Sequence, residues 1–298
     1  MKKIIRLTLF IFLALMLVGC AGGSTGGSGK KSMADDDVLA LHFTAPSEYS
    51  EVERYCETTV DGKLIEKDIV FSFNENESVG FAVMPATKLA DLTSIDNLEH
   101  YDVNGFTVYR FDTGNTMIAF VQNGDDLYAV ERVMSEVDDG TVLKEVVNGI
   151  SFTKNTTTET DEAAFEEMNY ELDKDHSLYG TSTRITTDAQ GNLVRKFVNW
   201  IYGTEKEEDF TFAIRYYANK TIEELWSADN TYEDVEFNGV KYKALVNSSG
   251  EPSYAYYTQQ GNDVYLIRNN GTSDGWFTNR SEESNVCFEK FLNTISFK

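Results

Sequence analysis

Thiols, imidazoles and carboxylates are the side chains able to carry nucleophilic, metal or acid–base chemistry in this chain, and their supply is uneven. There are three cysteines (Cys20, Cys56, Cys287), three histidines (His42, His100, His176) and 49 acidic residues. Thiol catalysis needs a cysteine beside a base that takes its proton, yet neither Cys56 nor Cys287 has a histidine beside it in sequence. No C-x-x-C pair occurs and the histidines are scattered, so zinc and iron–sulfur sites have almost no support and neither metal nor cofactor is expected. Cys56 and Cys287 either join in a disulfide or stand as two isolated buried thiols, and the sequence favours the second. The glycine-rich stretch at residues 22–29 follows no strand, so it is not read as a phosphate cradle.

Carboxylates leave one enzymatic option, because a glycosidase needs only two of them several ångströms apart. Abundance alone selects none. Asp96 and Asp229 stand out because a repeated Ser-x-Asp-Asn sequence carries both, but such residues after a helix usually bond nearby backbone and make turns. Asp126 and Asp263, beside glycine turns, invite the same structural reading. No segment fits the D-x-[DN]-x-[DN]-G spacing of a calcium loop, and Asp35-Asp36-Asp37 reads as a solvated run. No catalytic residue is therefore assigned. The remaining binding candidates are aromatic: Trp226 and Trp276, two of the three tryptophans, all in the second half of the chain. Either one, if exposed, would stack a sugar or anchor a protein partner, although a core position is the commoner fate of a strand aromatic.

Cys20 has a separate chemistry. It follows a positive start (Lys2, Lys3, Arg6) and an apolar run at residues 7–19, LTLFIFLALMLVG. The run falls short of the roughly 18 apolar residues of a spanning helix and suits a secretory signal. Its end, Leu17-Val18-Gly19-Cys20, resembles the lipobox of bacterial lipoproteins. The resemblance implies a diacylglyceryl group on the Cys20 thiol, cleavage before Cys20 by signal peptidase II, and palmitate-type acyl chains holding the remainder on the extracytoplasmic side of the cell membrane. Two or three acyl chains anchor stably where one binds only marginally. Residues 20–37 open with AGGSTGGSG after the cysteine, a flexible tether with a reach of roughly 20 Å.

The rest must position any site. The formal net charge is −23, which excludes nucleic acid as a partner and argues against flat adsorption on an anionic bilayer. The exported part also repeats. Residues 89–97 match 222–230, 102–105 match 236–239, 122–128 match 259–265, and 143–152 match 288–297. The spacing grows from 133 (89 to 222) to 145 (143 to 288), as loop insertions in a second copy would make it. Two copies, at residues 38–154 and 176–298, are expected to flank a linker at 155–175. In the linker, Phe165, Met168 and Leu172 fall at helical spacing and predict a connecting helix over 161–173.

Within each copy, period-two apolar runs predict strands: Ile69, Phe71 and Phe73, then Val79, Phe81 and Val83; in the second copy Phe210, Phe212 and Ile214. Asp61-Gly62, Gln190-Gly191, Asn104-Gly105, Asn238-Gly239, Gly124 and Gly261 predict the turns. Thr221-x-x-Glu224 is a capping box. A closing helix carries Leu143, Val146, Val147 and Ile150, or Phe288, Phe291, Leu292 and Ile295, on one face. The fold class expected is α+β, an antiparallel sheet with helices packed on one side, made twice. An opening Phe43-Thr44-Ala45-Pro46 strand and a closing helix running into Ile-Ser-Phe resemble the PsbP-like α/β sandwich. That resemblance implies a binding or assembly module rather than an enzyme. The expectation is a lipid-anchored, non-enzymatic binding or interaction protein with a protein or glycan ligand. The alternatives are a carboxylate-based glycan hydrolase, or an accessory subunit of a transporter or sensor.

Overall fold

The computed structural model describes residues 41–91, 98–112, 115–135, 141–152, 165, 167–204, 208–226, 231–246, 252–271 and 280–298. The chain forms two compact units. Unit 1 holds Leu64–Thr158, the residues up to Cys56, and the hairpin tip Thr187–Asn192. Unit 2 holds Glu159–Thr186, Leu193–Lys298 and the hairpin tip Glu57–Lys63.

Unit 1 opens with β1 (Leu41–His42), followed by β2 (Glu51–Thr59), β3 (Leu64–Asn74) and β4 (Glu77–Met84). After a three-residue 3-10 turn at Leu89–Asp91 come β5 (Glu99–Val103), β6 (Phe106–Asp112), β7 (Thr116–Asn123) and β8 (Asp126–Val133). Helix α1 (Thr141–Asn148) and β9 (Ser151–Phe152) close it. The strand order is β2-β3-β4-β8-β7-β6-β5, with β9 pairing back on β1. Unit 2 repeats this plan: β10 (Met168–Asn169), β11 (Leu178–Asp188), β12 (Leu193–Gly203), β13 (Glu208–Tyr217), α2 (Ile222–Leu225), β14 (Thr231–Phe237), β15 (Val240–Val246), β16 (Pro252–Gln260), β17 (Asp263–Gly271), α3 (Glu282–Leu292) and β18 (Ser296–Phe297). Its order is β11-β12-β13-β17-β16-β15-β14, and β18 pairs with β10.

Alternation along the strands makes each core. Ile69 and Phe71 of β3 sit across from Phe81 and Val79 of β4, and all four are buried. Trp200 and Tyr202 of β12 sit across from Phe212 and Phe210 of β13, equally buried. Helix α1 adds Leu143 and Val147 to the first core, and α3 adds Phe288, Phe291 and Leu292 to the second. The β5–β6 and β14–β15 hairpins turn on Asn104-Gly105 (φ 51° and 84°) and Asn238-Gly239 (φ 49° and 79°). A two-residue turn matching the twist of its strands requires positive φ at both positions, which Asn and Gly tolerate.

The expected α+β class is corrected. The molecule is mostly β: fourteen strands of antiparallel sheet, seven in each unit, against three short helices among the described residues. Among the described residues, the segment after β4 makes a 3-10 turn at Leu89–Asp91, and the capping box of unit 2 opens a four-residue helix. The connecting helix is also corrected: among the described residues of 161–173 the only regular element is β10. Met168, Tyr170 and Leu172 alternate into the unit 2 core at period two, a pattern that competes with helical spacing in so short a segment. Strands β4, β7 and β8 of unit 1 are buried on both faces, with Ala82, Met84, Ile118, Phe120, Leu127 and Ala129 forming a second cluster.

Candidate functional site

Two carboxylates kept by both copies have structural work. Asp126 Oδ1 accepts a bond from the Ala86 N–H at 2.9 Å, and Asp263 Oδ1 accepts one from the Asn219 N–H at the same distance. Ala86 and Asn219 both sit at φ 51°, so the bonds hold a strained turn. Beside them, the Gln122 amide donates to the carbonyls of Thr87, Gly124 and Asp126, and its oxygen accepts from the Leu89 N–H. Gln259 does the same with Lys220, Gly261, Asp263 and Ile222. These four side chains fasten corners.

Cys20, Trp276, Asp96, Asp229 and Asp35-Asp36-Asp37 lie outside the described residues. Trp226 is half-buried at the end of α2 and stacks on Tyr232, with ring centroids 4.3 Å apart; its buried Nε1 has no hydrogen-bond partner among the described residues. Cys56 and Cys287 are both thiols, Cys56 half-buried and Cys287 buried.

Each unit has a groove between its opening segment and its closing helix, built from matching positions. In unit 1 it is a cavity of about 290 Å³ lined by Phe43, Pro46, Phe73, Phe81 and Val146, with Arg132 and Glu145 at its polar side. In unit 2 the cavity is about 170 Å³ and is lined by Asp173, Lys174, Asp175, Cys287, Lys290 and Phe291. Phe291 occupies the helix position of Val146 and fills part of the space, while Asp173 stands where unit 1 has Pro46.

The unit 2 groove brings together groups far apart in sequence. His176 Nδ1 lies 2.5 Å from Asp173 Oδ2 and 3.7 Å from Cys287 Sγ, and His176 Nε2 lies 3.3 Å from Glu283 Oε1. Asp173 and Cys287 are almost completely covered, and the imidazole packs edge-on against Phe210 at 5.1 Å. Asp173 is itself fixed. Its N–H donates to the Tyr202 hydroxyl oxygen, and its carboxylate accepts from the N–H groups of Asp175 and His176. The Asp173 hydrogen bond raises the His176 pKa despite the opposing effect of burial, with Glu283 adding to it. Burial works against the charged form of Asp173, but the bonds from His176 and Asp175 outweigh it and lower its pKa. Burial, reinforced by Asp173, pushes the Cys287 thiol up.

This is not a thiol-protease arrangement. A catalytic triad uses one imidazole nitrogen for the nucleophile and the other for the orienting carboxylate; here Asp173 and Cys287 meet the same nitrogen. Asp173, His176 and Cys287 are the set among the described residues able to hold a metal ion, with their ligand atoms all within 4.8 Å of one another. Reading the sequence missed this set. Asp173-x-x-His176 was the visible part, and Cys287 joins it across 111 residues.

No protein-family model matches this chain, and no curated protein matches it. Among solved structures, one of MucB in complex with MucA(peri) overlaps 84% of this chain and 93% of that one, at 7% identity and a TM-score of 0.19. An overlap that loose defines no common fold.

Proposed function

We propose that this chain is a lipid-anchored, extracytoplasmic binding module with no catalysis of its own, and that it engages a protein or glycan partner outside the membrane. The observation carrying this reading is the groove built twice on one plan, apolar in unit 1 and ionisable in unit 2. A duplicated scaffold that keeps its corners and varies its grooves suits recognition. Asp126 and Asp263 support the non-enzymatic part, since each is engaged in fastening a turn. The anchor rests on the lipobox-like Leu17-Val18-Gly19-Cys20, and no helix among the described residues is long and apolar enough to cross a membrane.

Two experiments test the proposal. Labelled palmitate should enter the full-length chain in its host and be lost in C20A; equal labelling of both would remove the anchor. The purified chain should gain melting temperature with peptidoglycan fragments or soluble glycans, by roughly 2.7 kcal/mol of stability at a hundredfold the Kd. T44W, which puts a bulky ring at the exposed mouth of the unit 1 groove, should weaken that gain if the glycan sits there. Turnover of a glycan that is abolished in folded D126N or D263N would overturn the reading in favour of a hydrolase.

A further inference from the structure

Beyond partner binding, we propose that Asp173, His176 and Cys287 form a site for a divalent transition metal ion of the zinc class, with one coordination position open to the unit 2 cavity. The donor set selects the metal. A thiolate and an imidazole are soft or borderline ligands that suit zinc, cobalt or copper and do not suit calcium or magnesium, which take oxygen. One carboxylate oxygen completes a three-ligand set.

Geometry agrees with that chemistry. In a tetrahedral site with metal–nitrogen and metal–sulfur bonds of about 2.0 and 2.3 Å, the nitrogen and sulfur lie about 3.5 Å apart. His176 Nδ1 and Cys287 Sγ are 3.7 Å apart. Nitrogen and carboxylate oxygen need about 3.4 Å in the same geometry, so Asp173 Oδ2, now 2.5 Å from Nδ1, must withdraw by a little under 1 Å. The ion would take the place of the proton along that bond, which leaves to solvent. Cys287 loses its thiol proton to solvent as the sulfur–metal bond forms, which makes binding a proton-releasing step.

The surroundings match what metal-bound imidazoles require. A ligating histidine usually gives its second ring N–H to a carboxylate, which sets the tautomer and the ring orientation. Glu283 Oε1 stands 3.3 Å from His176 Nε2 in that role. Three protein ligands with a position facing a cavity distinguish an exchangeable or ligand-binding site from a closed structural one, and Asp173 and Cys287 both line the cavity. Unit 1 supplies the internal control. Pro46 stands where Asp173 does, residues 43–50 contain neither histidine nor cysteine, and Val142 aligns with Cys287.

The test is a cobalt titration of the purified, chelator-stripped chain. One equivalent of Co²⁺ should give a near-ultraviolet thiolate charge-transfer band together with visible bands of a four-coordinate ion, and Zn²⁺ should displace it. C287S should lose the charge-transfer band, D173N and H176Q should weaken binding, and C56S should leave the spectrum unchanged. E283Q should keep the band and lower affinity roughly tenfold, as loss of an outer-shell partner does. Because C287S alters a buried position, H176Q and E283Q carry the result if that variant fails to fold. A full titration without a thiolate band would overturn the proposal, and so would a band that persists in C287S or is lost in C56S.

Discussion

Unit 1 and unit 2 place the same groove against the same closing helix and line it with opposite materials. One has phenyl rings and a proline; the other has three carboxylates, a thiol and two lysines, with an imidazole behind them. A second pair of matching positions diverges as sharply. Five residues past the corner aspartates, Glu131 of β8 answers to Arg268 of β17. Each lies on a central strand with a side-chain atom, Glu131 Oε1 or Arg268 Nε, that is buried and without a hydrogen-bond partner among the described residues. Burial raises the Glu131 carboxyl to about 8 and lowers Arg268, which also feels Arg215 and Arg280. By contrast, Gln122 and Gln259 repeat their corner bonds one for one, and Asp126 and Asp263 accept the same corner N–H, with Asp263 also taking a bond from the Tyr216 hydroxyl. Backbone geometry is what the two copies cannot change; the side chains above it are what they have changed.

The largest expected effect tests whether the two cores are equivalent. Phe81 and Phe212 are buried phenylalanines on the corresponding strands β4 and β13, so F81A and F212A should each cost about 3–5 kcal/mol in chemical denaturation, agreeing within about 1 kcal/mol. A large mismatch would break the equivalence. The next effect separates the units by pH. A carboxyl that holds its proton more tightly when folded stabilises the fold fully below about pH 4.5. That contribution falls by about 1.4 kcal/mol per pH unit as pH rises toward 8. E131Q keeps a neutral group throughout, so its advantage over the parent should grow from near zero at pH 4.5 to a few kcal/mol by pH 8. R268Q should leave the slope over this range unchanged, because an arginine stays charged across it. Parallel pH profiles for the parent and E131Q would show that Glu131 ionises normally.

Legibility in the sequence followed the range of the interaction. The Asn-Gly turns, the capping box and the alternating Phe and Val runs are set by neighbours a few residues away, and each stands where reading predicted it. The repeat made the corner aspartates recognisable as structural. Helix was overestimated because Phe165, Met168 and Leu172 fit helical spacing while Met168, Tyr170 and Leu172 fit period two, and pairing of Met168–Asn169 with Ser296–Phe297 decided between them. Burial of β7 on both faces had a trace in its unbroken apolar run, Met117 to Val121. The histidine–thiol–carboxylate cluster had almost none, since it depends on α3 laying Cys287 beside a segment more than a hundred residues earlier.

The smallest effect concerns a short element where Thr221 and Glu224 of unit 2 answer to Lys88 and Asp91 of unit 1. In unit 2, Thr221 caps α2 reciprocally: its N–H donates to Glu224 Oε2 at 2.7 Å, and its hydroxyl oxygen accepts from the Glu224 N–H at 3.3 Å. In unit 1 the matching Lys88 N–H donates to Asp91 Oδ2 at 3.0 Å, but lysine has no oxygen to return the bond. Its ammonium instead reaches the Gly124 carbonyl and Asp125, and the described residues that follow, Leu89–Asp91, form a 3-10 turn. T221A should therefore cost about 0.5–1 kcal/mol, read as a melting temperature lower by a few degrees. K88T gains the missing acceptor and loses an exposed ion pair worth little in solvent, so its net change should stay within about 0.5 kcal/mol. If T221A were as costly as a core truncation, the cap would be fixing the corner at Asn219 and Asp263 as well as the helix. The difference between the copies would then reach beyond one turn.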